Sequence, residues 1–67
     1  MKWQVIVQWY DKKMEFHFLD DTYQDIEEAM TAYTLECERL EEKMKYKEAR
    51  VGRVKLSVTN IMLEKEF

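Results

Sequence analysis

One apolar repeat between Asp21 and Gly52 constrains the fold of this chain more than any other feature. Its members recur at alternating steps of three and four residues: Tyr23, Ile26, Met30, Tyr33, Cys37, Leu40 and Met44. This spacing puts all of them on one face of an α-helix. We therefore expect a helix of roughly 28 residues, about 42 Å long, whose apolar face covers a sheet.

Polar residues mark the start of this helix and a glycine marks its end. Asp21 or Thr22 can cap the N-terminus, because their side-chain oxygens accept hydrogen bonds from the first helical N–H groups. Gly52 can adopt the left-handed conformation that ends many helices. Strands here span only about 27 Å, so the helix either breaks between residues 45 and 48 or projects past the sheet. The predicted end lies between Tyr46 and Val51.

Two strands are expected before the helix, since apolar and polar residues alternate there. The polar residues at 11–13 form the turn between them. A tight turn at Lys12-Lys13, or a four-residue loop over 11–14 with the same register, sets Trp9 opposite Phe16 and Val7 opposite Phe18.

A third strand follows Gly52, with Val54, Leu56 and Val58 on one face. Its alternation slips after Thr59, which indicates a bulge or the end of the strand. The predicted fold class is α+β: a three-stranded antiparallel ββαβ sheet of order 2-1-3, with one long helix on one face, in a single domain over residues 1–67. A parallel third strand beside the second would leave the tryptophan-rich first strand at an edge. The predicted core is Trp3, Val5, Val7, Trp9, Met14, Phe16, Phe18, Ile26, Met30, Tyr33, Cys37, Leu40, Val54, Leu56 and Val58.

Composition narrows the functional class. The chain has 67 residues, 46% of them hydrophobic, and a formal charge of −3, so we expect a folded domain. A domain this small buries only about 60% of its unfolded surface, which favours a partner or a dimer. Its single cysteine cannot form an internal disulfide, and its N-terminus lacks signal-peptide features. No apolar run is long enough to span a membrane, so a cytoplasmic protein is expected.

No set of residues predicts catalysis, a metal site or a cofactor. His17 is the only histidine, and its parity puts it on the sheet face away from the helix. Cys37 is predicted in the core, on the opposite side, where it cannot pair with His17 as a nucleophile. The helix carboxylates are spread along a solvated surface. We therefore expect a protein that is not an enzyme.

Charge is segregated along the helix. Between residues 20 and 42 there are nine acidic residues and one basic residue, Arg39. Leu35 is about 200° from Tyr33 and Cys37 around the helix, so it points away from the core among acids. An acidic helix ridge is therefore the candidate surface for a larger host protein, and its residues are Asp21, Asp25, Glu28, Leu35, Glu38 and Glu42.

The end of the helix is basic. A nucleic-acid-binding module is the alternative function, with phosphate-binding side chains and a tyrosine for stacking: Lys43, Lys45, Tyr46, Lys47, Arg50, Arg53 and Lys55. The same charges also complement the helix dipole without any partner.

Apolar residues remain that one helix does not cover. Ile6, Tyr10 and Leu19 lie on the second sheet face, and the tail adds Ile61, Met62, Leu63 and Phe67. Either the tail folds back or a partner covers this surface. A structural homodimer through the helix or a sheet edge is therefore a further alternative.

The order of elements resembles a group of small bacteriophage proteins. Two hairpin strands precede Asp21-Thr22, a helix with Ile26-Glu27-Glu28-Ala29 follows, and a strand closes the chain. This pattern is similar to the RNA polymerase inhibitors of T7-like phages and to anti-CRISPR and antitoxin-like proteins. The longer helix and its basic end depart from those inhibitors, so no functional residue is carried over. The resemblance implies a binder that occludes a functional surface of a host protein, such as a polymerase or nuclease, in the host cytoplasm.

Overall fold

The computed structural model describes residues 2–67, which form four strands and one helix. In chain order these elements are β1 (Trp3–Asp11), β2 (Phe16–Tyr23), α1 (Ile26–Lys45), β3 (Ala49–Ser57) and β4 (Ile61–Glu66). All neighbouring strands are antiparallel, and the sheet order is β2-β1-β3-β4. The α+β class with one helix is confirmed. The sheet has four strands, however, and not the three that were predicted.

The additional strand is the tail. The slip in alternation after Thr59 marks a turn at residues 58–60, where the Val58 N–H donates to the Asn60 carbonyl over 3.2 Å. The chain then reverses, and Leu63 pairs with Leu56. The Phe67 N–H donates to the Gly52 carbonyl over 2.9 Å. The tail therefore covers the β3 edge and becomes an edge itself.

The helix begins later than predicted, because β2 continues through Asp21 and Thr22 to Tyr23. Asp25 is the N-cap, and its carboxylate accepts a hydrogen bond from the Glu27 N–H over 3.3 Å. Residues 21–23 pair with β1, and this pairing satisfies backbone N–H and C=O groups that would otherwise be satisfied within a helix.

The predicted helix end was also wrong. The last helical residue is Lys45 and Tyr46 is the C-cap, in agreement with the alternative of a break near residues 45–48. Lys47 takes the left-handed conformation, with φ of 59°, and Gly52 does not; Gly52 lies within β3. The Glu48 N–H donates to the Lys43 carbonyl and the Lys47 N–H to that of Met44, which is the Schellman arrangement. With 20 residues, the helix spans about 30 Å and matches the strands without overhang.

The register of the first hairpin differs from the prediction by one residue. Trp9 lies opposite His17 and Val7 opposite Leu19. The loop contains three residues, 12–14, because the Asp11 N–H donates to the Glu15 carbonyl and Met14 has φ of 65°. A turn followed by one left-handed residue is a common three-residue hairpin loop. Because the loop has an odd number of residues, the odd residues of β2, and not the even ones, share a face with the odd residues of β1.

Several residues of the predicted core are exposed, and for Phe16 and Phe18 this reversal is the reason. Met14, Phe16 and Phe18 are 54%, 52% and 51% exposed, and Ile26 and Met30 are 46% and 38% exposed. Val58 falls in the turn after β3. The buried core consists of Val5, Val7, Ala29, Cys37, Leu40, Ala49, Val54 and Leu56, with Trp3, Trp9, Tyr23, Ala32, Tyr33, Met44 and Phe67 packed against it.

Close approach of the helix to β3 requires a glycine. A Cβ atom on Gly52 would lie 2.8 Å from Leu40 Cδ2, 2.9 Å from Trp9 Cβ and 3.0 Å from the Gln8 carbonyl oxygen. These separations are shorter than van der Waals contact. The glycine therefore serves helix packing rather than helix termination.

Candidate functional site

The sheet has one face under α1 and one face without a covering element, which we call the open face. Side chains alternate along each strand, so the even residues of β1 lie on the open face with their cross-strand partners. The open face comprises Gln4, Ile6, Gln8, Tyr10, Phe16, Phe18, Asp20, Thr22, Val51, Arg53, Lys55, Ser57, Ile61, Glu64 and Glu66.

Apolar side chains collect at one end of the open face. Tyr10 pairs with Phe16 on one side and with Val51 on the other, and Phe18 follows Phe16 on the same face. The rings of Tyr10 and Phe16 have centroids 5.2 Å apart, and those of Phe16 and Phe18 are 6.5 Å apart. We call Tyr10, Phe16, Phe18 and Val51 the aromatic patch. All four are exposed, and three of them line a cleft of about 280 Å³ with Arg53 and Phe67.

The other side of the open face is charged but internally compensated. Arg53 on β3 lies 3.8 Å from a Glu64 oxygen and 4.0 Å from a Glu66 oxygen. Lys55 pairs with Glu64 across the strands. Because these pairs are solvent-exposed they contribute little to stability, but they balance the charge of this side.

His17 lies on the helix side of the sheet, which corrects its predicted place on the far face. Its ring stacks on Trp9 with centroids 4.8 Å apart and an interplanar angle of 11°. His17 Nε2 and Asp11 Oδ2 are 2.8 Å apart, while Asp11 Oδ1 accepts hydrogen bonds from the N–H groups of Lys13 and Glu15. The hydrogen bond with His17 lowers the pKa of Asp11, and the backbone donor Glu15 lowers it further.

The hairpin turn also brings together the one set of possible metal ligands among residues 2–67. Ligand atoms of Asp11, Glu15 and His17 all lie within 4.8 Å of one another. One imidazole and two carboxylates could hold a divalent cation. In this structure the His17 ring is hydrogen-bonded to Asp11 and stacked on Trp9, so it holds the turn and the Trp9 side chain in place.

The structure places the predicted acidic ridge on two elements. Asp21 lies in β2 and Asp25 is the N-cap, whereas Glu28, Leu35, Glu38 and Glu42 lie on α1. Leu35 is 43% exposed. A shallow hollow surrounds it, formed with Met30, Thr31, Thr34 and Glu38. The ridge therefore offers two apolar side chains among acids, a smaller apolar surface than the aromatic patch.

The predicted basic set does not form one surface. Lys43 Nζ lies 5.7 Å from the Trp9 ring centroid on the helix side of the sheet, whereas Arg53 and Lys55 lie on the open face. Lys45 Nζ is 5.7 Å from the ring centroid of Tyr46, which is exposed. Lys47 follows the helix C-cap, and Arg50 lies where the β1–β3 register shifts. To bind a continuous run of phosphates, these cations would have to lie on one side of the protein.

Cys37 lies in the core beside Tyr33. Burial raises the pKa of the Cys37 thiol, and burial together with Cys37 raises the pKa of Tyr33 to about 12. Both groups are therefore neutral near pH 7, and Cys37 is a poor nucleophile in this environment.

Comparison of the chain with protein-family models, curated proteins and solved structures found no match. Within residues 2–67, the helix is too polar to cross a membrane.

Sequence reasoning missed the aromatic patch, because it placed Phe16 and Phe18 in the core. One signal pointed to the observed register. Asp11 is a preferred first residue of a β-turn, and a turn over 11–14 whose last residue, Met14, is left-handed gives the three-residue loop.

Proposed function

We propose that this protein is a non-enzymatic protein-binding module whose open face occludes a functional surface of a larger protein, in the manner of the phage inhibitors it resembles. The observation that carries the proposal is the aromatic patch. Exposed aromatic clusters of this kind are common at protein interfaces, where a few buried aromatic side chains supply most of the binding energy.

The size of the patch supports this role. A buried aromatic side chain covers 150–250 Å², so three half-exposed rings leave roughly 300 Å² of apolar surface in water. Tyr10 and Phe16 are cross-strand partners, and Phe18 is the next residue of β2 on the same face, in a hairpin that is paired along its whole length. The side chains are thus presented by rigid strands, which reduces the entropy that binding would cost.

The reactive groups support a binding role over catalysis. His17 is engaged with Asp11 and Trp9, and Cys37 is buried with a raised thiol pKa. Neither group faces the cleft at the aromatic patch.

Two variants distinguish the open face from the acidic ridge. Phe16→Glu combined with Phe18→Glu places charge on the aromatic patch, and Leu35→Glu combined with Glu38→Lys alters the ridge, also at exposed positions. Tagged wild-type protein is used to capture partners from bacterial lysate, and each stoichiometric partner is purified and titrated against both variants by calorimetry.

We expect the patch variant to bind the purified partner at least about tenfold more weakly, since truncated aromatic anchors typically cost 2 kcal/mol or more. The ridge variant should bind like the wild type. Loss of binding in the ridge variant alone would move the site to α1, and absence of any stoichiometric partner would refute the proposed function.

A nucleic-acid module remains the second candidate. Exposed Tyr46 with the Lys45 ammonium near its ring is the observation that favours it. It requires binding to DNA or RNA that weakens steeply with salt. Absence of a mobility shift at low salt would exclude it.

A homodimer is the third candidate. The matched lengths of α1 and the strands leave no helical overhang for a coiled coil, so a dimer would use a sheet edge, β2 or β4. Every residue of β4 is exposed. A light-scattering mass of one chain would exclude this arrangement.

A further inference from the structure

The aromatic patch has a basic border. Lys12 and Lys13 form the turn that joins Tyr10 to Phe16, and Arg50 immediately precedes Val51 at the shift in the β1–β3 register. Within residues 2–67, none of these three cations takes part in a salt bridge. We call Lys12, Lys13 and Arg50 the basic border.

Of the carboxylates near this end of the sheet, Asp11, Glu15 and Glu48 lie towards the helix side and Glu66 lies beside Arg53. Asp11 accepts hydrogen bonds from two backbone N–H groups and contacts His17 on the helix side. Glu15 belongs to the same cluster. Glu66 Oε1 lies 4.0 Å from Arg53 Nη2. Glu48 lines a hollow with Glu42, Lys43 and Tyr46 at the C-terminal end of α1. Within residues 2–67, no carboxylate forms an ion pair with the basic border, although the whole chain has a formal charge of −3.

Apolar side chains beside free cations complement a ligand with apolar side chains beside carboxylates. Single-stranded nucleic acid fits less well. The patch contains the aliphatic Val51, and neighbouring rings are tilted to one another by 53° and 32°, so they do not form a flat stacking platform.

Packing of the patch against its own copy is also disfavoured. The aromatic patch offers roughly 300 Å² of ring surface. A stable interface needs about 800 Å² on each partner. Two patches face to face would also bring two basic borders together, whereas an acidic partner that contacts both patch and border gains area and attraction.

We propose that the aromatic patch and its basic border bind an acidic amphipathic segment of a partner protein, in which leucine-like side chains fill the cleft and flanking aspartates or glutamates meet Lys12, Lys13 and Arg50. This inference rests on the proposed function and names the chemistry of its partner.

The test uses the full chain and two fluorescein-labelled peptides of identical length. Both carry leucines at amphipathic helical spacing; one has glutamate at every polar position and the other has lysine. Binding is followed by fluorescence anisotropy at low and moderate salt, with a single-stranded oligonucleotide as a third ligand. Light scattering of the protein alone reports self-association.

Two charge variants separate the border from overall charge. Lys12→Glu with Lys13→Glu alters the border, and Lys2→Glu with Arg39→Glu makes the same change in net charge away from it. We expect the wild type to prefer the glutamate peptide by about tenfold, because two or three exposed ion pairs contribute up to 1 kcal/mol each. The border variant should lose this preference, and the control variant should keep most of it.

Equal binding of the two peptides, tighter binding of the lysine peptide or the oligonucleotide, or no binding at about 1 mM would overturn the inference. A dimeric mass that depends on the patch would assign the surface to a second copy and overturn it too. If a captured partner requires Phe16 and Phe18 but not Lys12 and Lys13, the proposed function stands and this inference alone fails.

Discussion

The two faces of the sheet come from the same strands but have opposite surroundings. On the helix side, Val5, Val7, Val54 and Leu56 are at most 4% exposed, whereas Phe16 and Phe18 on the open face are about half exposed. Among these six residues, the larger apolar side chains are the ones left in solvent. Coverage by α1, rather than the hydrophobicity of each residue, determines which side chains form the core.

The difference has a functional consequence. Residues on the helix face contribute to stability through the area that they remove from water. Residues on the open face retain that area for a partner. If this division is correct, mutations should separate cleanly: the helix face should affect folding and the open face should affect binding.

The largest expected effect is on the helix face. Leu40→Ala removes a side chain that is 1% exposed and should lower the free energy of unfolding by about 2–5 kcal/mol. Phe18→Ala on the open face removes a larger side chain, but that side chain is 51% exposed, so the loss should be less than about 1 kcal/mol. Urea unfolding followed by tryptophan fluorescence compares the two. Equal losses would mean that the open face is covered in solution.

The next effect concerns the contact between helix and sheet. Gly52→Ala introduces a Cβ 2.8 Å from Leu40 Cδ2 and should lower the free energy of unfolding by about 1–3 kcal/mol. Val51→Ala, at the adjacent residue on the open face, should lower it by less than about 1 kcal/mol. Thermal unfolding measures both. A neutral Gly52→Ala variant would show that α1 packs farther from β3.

A smaller effect tests the turn that assigns β2 side chains to the two faces. Met14 has φ of 65° and its side chain is exposed, so Met14→Gly should raise the free energy of unfolding by about 0.5 kcal/mol. Lys13→Gly lacks this relief of strain and should be destabilising. Denaturant unfolding compares them, and the opposite order would contradict the three-residue loop and the register that follows from it.

The smallest effect is a pH dependence at the same turn. Because the pKa of Asp11 is lowered in the folded protein, its contribution to stability is present above the unfolded pKa, near 4, and is lost as pH falls through the folded pKa. The stability difference between wild type and Asp11→Asn should therefore shrink at acidic pH. Urea titrations between pH 6 and about 2 measure it. Asp21→Asn, which removes a carboxylate on β2, is the control. An equal pH dependence of stability for the two variants would show that the contact with His17 has no effect.

Much of the fold was predictable from local patterns. Alternation identified β1 and β3, and the three-four repeat identified α1, with Cys37 and Leu40 on its buried face. The neighbours of β1 were also correct. Boundaries were less predictable, since Tyr23 continues the helical repeat in sequence but belongs to β2 in the structure. A residue that suits both patterns is assigned by its backbone hydrogen-bond partners.

The candidate site was predicted only in part. Tyr10 and Ile6 were expected on the second face, but Phe16 and Phe18 were not, and the acidic ridge was preferred. Both strand registers place apolar residues of β2 on the helix face: Phe16 and Phe18 in the predicted register, and Leu19, which is 47% exposed, and Tyr23 in the observed one. The length of the hairpin loop decided between them, and one residue of difference exchanged the two faces.

The sequence by itself determined that one amphipathic helix covers an antiparallel sheet, because periodicities of 3.6 and 2 are local properties of the chain. Tertiary structure alone decided which face of β2 the helix covers, and it did so through four hydrogen bonds and one left-handed residue at the hairpin turn. The face of β2 that bears Phe16 and Phe18 is exposed for this physical reason. The same residues that the pattern assigned to the core thereby become the surface on which the proposed function rests.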